Sequence, residues 1–135
     1  PARGPPPPPG VQRLLDALRI LGGTGERRLI EAMVLSEQLG TAVCDSAAYA
    51  LGHVGGASPD DFYRRAFARH AENARHDDTA RSTSVLDRLV YCMGISDRRA
   101  LLGEVVTRPD LPPRIRTAAT WWAGLPGYIR ERAAG

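Results

Sequence analysis

Three histidines, two cysteines and two pairs of adjacent carboxylates are the residues of this 135-residue chain best suited to chemistry. A metal centre needs His, Cys, Asp or Glu side chains converging at ligand spacing. His70 and His76 stand six residues apart, which puts them on different faces of a helix, and neither they nor His53 have a Cys or carboxylate in a zinc-like pattern. Nucleophilic catalysis needs a thiol or hydroxyl, a base and an orienting acid. Cys44 beside Asp45, and Cys92 alone, carry no such local signature, and convergence with His53 depends on the fold. Asp60-Asp61 and Asp77-Asp78 fall at predicted helix starts, where the positive end of the backbone dipole accounts for them. The Gly22-Gly23-Thr24-Gly25 segment lacks the lysine and preceding strand of a phosphate-binding loop and reads as a turn between helices. The sequence therefore predicts no catalytic residue, no metal and no cofactor.

Recognition is the better-supported chemistry. Tyr49 and His53 lie on the side of a predicted helix opposite Val43 and Leu51. Arg81, Ser84, Arg88 and Tyr91 form a row opposite the Val85 and Leu89 stripe of another, and Arg116, Thr120 and Trp121 hold the corresponding place on a third. Arg, Tyr and Trp are the residues most enriched at binding hot spots. By helical phase Trp122 belongs in the core, which leaves Trp121 exposed. All eighteen basic residues are arginine, the side chain suited to bidentate recognition of phosphate or carboxylate. With abundant Ala, Gly and Pro, that usage also fits the codon bias of a GC-rich bacterial genome.

The elements that must position these residues read as helices. Aromatics make up only 6% of the chain, so the core rests on Ala, Leu, Val and Ile, and no segment alternates as a strand does. Residues 1–10, ending in a five-proline run and Gly10, predict a disordered Pro-rich linker ahead of a helical domain over 11–135. Apolar residues at spacings of three and four mark a helix over 11–21 stopped by Gly22-Gly23, a second after Thr24 ending at Gly40, and a third over 41–54. Ser58, Pro59, Asp60 and Asp61 start a fourth, with Ser58 as the expected cap. A fifth follows Asp77-Asp78 and ends at Gly94, a sixth follows Ser96-Asp97, and Pro112-Pro113 open a seventh, with a short tail helix after Pro126-Gly127. Helix starts at Asp60 and Asp97 are 37 residues apart, a period that points to an α-solenoid of helix pairs.

The stretch from Asp110 to Gly124 resembles the inner helix of a HEAT repeat, with Asp110, Pro113, Ile115, Arg116, Ala118, Ala119 and Gly124 on the family's pattern. Residues 43–55 resemble the same helix in an earlier repeat, with Cys44 in place of the family's arginine, and residues 79–94 keep the terminal glycine alone. The resemblance implies an all-α fold, a short right-handed solenoid of about three antiparallel helix pairs, and a concave face lined by the second helix of each pair. It also implies that Asp110 and Arg116 form a structural ladder between repeats.

The functional expectation is a non-catalytic scaffold domain binding another protein, or another domain of the same polypeptide, through Tyr49, His53, Arg81, Ser84, Arg88, Tyr91, Thr120 and Trp121. The alternative is a nucleic-acid-binding repeat domain whose concave face is lined by Arg81, Arg88 and Arg116, joined by Arg64, Arg65, Arg69 and Arg75. Against it, fifteen acidic residues interleave with the arginines and the net charge is only +3. With no signal-peptide pattern and no long apolar run, the chain is expected to be cytoplasmic, without a membrane partner.

Overall fold

Proline and glycine punctuate the chain, and the helices run between them. The computed structural model describes residues 9–76 and 84–125. Among the described residues are seven helices and no strand: α1 (Pro9–Leu21), α2 (Thr24–Leu35), α3 (Thr41–Leu51), α4 (Asp60–His76), α5 (Ser84–Ile95), α6 (Arg99–Val106) and α7 (Pro113–Ala123). The all-α expectation holds. Residues 1–8 of the expected linker, Asp77-Asp78 and the expected tail helix lie outside the described residues.

Helices α1, α2 and α3 have boundaries that differ from the sequence expectation, α3 ending at Leu51 and not at 54. Helix α1 takes in Pro9 and Gly10, which the sequence assigns to the linker. Proline is tolerated in a first helical turn because its missing N–H would have no partner there. Helix α2 stops at Leu35, ahead of Gly40, because Ser36 turns the chain out with ψ 131°. The Ser36 hydroxyl then accepts the backbone N–H groups of Gln38 and Leu39 at 3.1 and 3.3 Å, a local turn that competes with further helix. Gly22, at φ +64°, provides the left-handed exit from α1, and its N–H reaches the Leu18 carbonyl at 2.9 Å.

The odd-numbered helices contact one another in chain order, α1 on α3, α3 on α5 and α5 on α7. Helix α2 packs on α1, α3 and α4, helix α4 also on α5, and α6 on α5 and α7. Helix α3 sits in the middle, and nine of its eleven residues are buried, four of them alanines. Those small side chains let α1, α2 and α5 approach it closely. Leu15, Ile30, Leu51, Leu86, Leu89, Met93, Leu102 and Ile115 are almost fully buried in the core. Each such side chain contributes roughly 1.5–3 kcal/mol over its exposed state. No helix among the described residues is long and apolar enough to cross a membrane.

Two polar clusters fix the turns, and the first differs from expectation. Ser58 is buried, and its hydroxyl accepts from Arg27 Nε at 3.1 Å and donates to Glu31 at 2.6 Å. Its hydroxyl is thus drawn inward from the capping role the sequence suggests. The other end of the Arg27 guanidinium donates to the carbonyls of Leu51 and Val54 at 3.4 and 3.2 Å, satisfying acceptors that the end of α3 leaves free. The second cluster lies at Asp110, one of the two residues expected to form the ladder. Asp110 takes a bidentate pair from Arg108, at 3.1 and 2.6 Å, while the buried Nε of Arg116 has no hydrogen-bond partner. Arg108 is two residues away in the same turn and reaches Asp110 without crossing the helix.

Candidate functional site

Helices α3, α5 and α7 bring together residues that are far apart in sequence. On α3, Asp45 and Tyr49 are one helical turn apart, and His53 follows just beyond the helix end, on the same stripe. The rings of Tyr49 and His53 lie 4.4 Å apart, and His53 Nδ1 is 2.9 Å from the Tyr49 carbonyl. From α5, Arg88 sets its guanidinium 4.8 Å from the centroid of the Tyr49 ring and donates through Nε to Asp45 at 2.7 Å. Its neighbour Asp87 accepts from Arg114 of α7 at 2.6 Å. Tyr49, His53, Asp87, Arg88 and Tyr91, with Ala48 as the floor, enclose a cleft of about 360 Å³.

An aromatic run leads from Tyr91, at the edge of this cleft, to α7. The Tyr91 and Trp122 rings meet edge to face at 5.6 Å, and Trp122 meets Trp121 edge to face at 5.0 Å. Two glycines make this packing fit. A side chain at Gly52 would press on the Tyr91 ring, and one at Gly94 would overlap the Trp122 indole. Beyond Tyr91 a second cleft of about 610 Å³ runs along the end of α3, and His53 and Tyr91 line both clefts.

The expected residues distribute as follows. Tyr49, His53, Arg88 and Tyr91 converge on one groove. Trp121 is 59% exposed at its α7 end. Thr120 is exposed and bonds back to the Arg116 carbonyl at 2.9 Å, outside the aromatic run. Arg81 lies outside the described residues, and Ser84 enters only as the first residue of α5. Trp122, expected in the core, is half-buried and serves as the bridge between Tyr91 and Trp121. Sequence reading missed Asp45, whose spacing of four from Tyr49 was the available signal, and Asp87, which abuts Arg88.

Neither thiol is poised for attack. Burial pushes the Cys92 thiol up to about 12, and burial likewise raises Cys44, whose sulfur contacts the Met33 carbonyl at 3.5 Å. Among the described residues no group of three or more His, Cys, Asp or Glu side chains could hold a metal ion. Several arginines offered for nucleic acid already have partners: Arg88 on Asp45, Arg64 on Glu104 at 2.8 Å, and Arg69 on the Ser36 carbonyl at 3.3 Å. No family model matches the chain, and neither the curated proteins nor the solved structures yield a match.

Proposed function

We propose that this chain is a non-catalytic protein-interaction or scaffold domain, a short HEAT-like right-handed solenoid of about three helix pairs, α2 with α3, α4 with α5 and α6 with α7. In this reading α3, α5 and α7 form the concave face, which holds another protein or another domain of the same polypeptide in the cytoplasm. The observation that carries it is the cleft lined by Tyr49 and Tyr91 together with the aromatic run that leads from Tyr91 through Trp122 to the exposed Trp121, side chains of the type that dominates binding hot spots. The buried, high-pKa thiols support a role without nucleophilic chemistry.

Nucleic acid is the weaker reading because Arg88 and Arg64 are bonded to carboxylates, which cancels charge that would otherwise draw a phosphate backbone. Capture from lysate of the source organism, with and without nuclease and at low and high salt, separates the two. A discrete protein retained through nuclease and salt by the wild-type chain, and lost by Tyr49→Ala, is the expected result. Capture that vanishes with nuclease or salt would overturn the proposal.

A further inference from the structure

The charges in the groove are balanced before anything enters it. Arg88 is bonded to Asp45, and Asp87 to Arg114, across 2.7 and 2.6 Å. A cationic ligand would seek the face of an aromatic ring, and over Tyr49 that place is taken by the chain's own Arg88. An anionic ligand reaching the remaining Arg88 N–H groups would meet a guanidinium whose charge the Asp45 carboxylate already offsets. The groove therefore favours an uncharged guest.

What it offers such a guest is ring surface and donors. Tyr49 is 44% exposed and Trp121 59% exposed. The hydroxyls of Tyr49 and Tyr91 and the indole N–H of Trp121 make no hydrogen bond to other described residues. A matching ligand is apolar, ring-faced and rich in acceptors, with few donors of its own. Proline-rich chain has that chemistry: its residues lack N–H, its carbonyls project outward unbonded, and its extended helix is formed before binding. Aromatic-lined grooves are the established receptors for such segments.

We infer that the Tyr49–Tyr91 cleft, with the adjoining Trp122–Trp121 aromatic run, docks an uncharged, proline-rich segment of a partner protein in the polyproline II conformation. This rests on the interaction reading above and names the chemistry of the partner. The test is a titration of the isotope-labelled full chain with a proline homopolymer peptide, followed by amide and indole NMR, beside a Gly-Ser peptide of equal length. The expected result is saturable shifts at Tyr49, His53, Tyr91 and the Trp121 indole with the proline peptide only, at a Kd below about 1 mM. Tyr49→Ala, an exposed position, should weaken binding about tenfold or more. Trp121→Ala, equally exposed, gives a second check at the other end of the groove.

Absence of saturable shifts, or shifts away from the groove, overturns the inference. So does a free chain whose groove resonances move when Pro5, Pro6, Pro7 and Pro8 are all changed to Ser, because its own proline run would then be the occupant. Duplex DNA moving the same resonances would also overturn it. If the proline peptide fails while Tyr49→Ala still abolishes capture of a discrete protein, the interaction reading survives and only the polyproline assignment falls. If both fail, both are wrong.

Discussion

The indole of Trp122 fills the space that a side chain at Gly94 would need, so α5 and α7 meet where one of them has no Cβ. Gly94→Ala should force the ring aside. Overpacking of this kind costs about 1–3 kcal/mol, against a gain of up to about 1 kcal/mol in helix propensity. The ring is rigid and wedged against Tyr91 and Trp121, so the steric term wins. Urea unfolding should show a lower midpoint, and tryptophan emission should shift as Trp122 moves. An unchanged or higher midpoint would contradict the packing described here.

Arg27 is the central polar tie of the fold. Arg27→Met would leave the buried Glu31 carboxylate with its Ser58 hydrogen bond but without its counter-charge 3.7 Å away, and the Leu51 and Val54 carbonyls without this donor. Removing one member of a buried ion pair costs about 3–5 kcal/mol, a large part of the total stability of a typical domain. Chemical denaturation of Arg27→Met against wild type measures it. A loss under about 1 kcal/mol would mean that the cluster does not hold the end of α3.

Stability should fall in mild acid because of His70. Its Nε2 lies 2.8 Å from the Val34 carbonyl, and its Nδ1 is buried without a partner. Burial, above all, holds the pKa below its ordinary 6.5; the Val34 carbonyl opposes that, and nearby Arg69 adds to it. Above pH 6.5 the ring is neutral in both folded and unfolded chains. Below it the unfolded chain takes up the proton first, so stability drops as the pH falls toward the folded value. Urea midpoints across that window should decline for wild type and decline less for His70→Gln. Parallel profiles would sink the assignment.

Both thiols should be slow toward alkylating reagents in the native chain and fast once it is unfolded. Cys44 and Cys92 are buried, with pKa values raised by burial, so little thiolate forms at neutral pH. Mass spectrometry after iodoacetamide treatment, with and without urea, checks this. Rapid native labelling of Cys92 would contradict its place in the core.

The helices were legible because their signals are local. Apolar spacing in α1, the glycine pair that stops it and Pro113 at the start of α7 each act within one turn of chain. Choices of polar partner were less legible, since they are decided by competition in space. Ser58 carries a capping sequence and yet bonds to Arg27, which arrives from 31 residues away. Asp110 matches a family pattern and yet pairs with its near neighbour Arg108. Half of the groove was visible in Tyr49, His53, Arg88 and Tyr91, whose helical phase points them off the core. The neutralising carboxylates Asp45 and Asp87 were not, because their roles depend on which helices become neighbours.

The central claim is that a protein partner sits on the α3–α5–α7 face. The most direct test places a photo-crosslinking phenylalanine derivative at Trp121, in the groove, and separately at Arg65, exposed on α4, and irradiates living cells. Cross-linking of a discrete protein through position 121 and not through position 65 is the predicted result. Cross-links from position 65 alone, or from position 121 to nucleic acid, would contradict it.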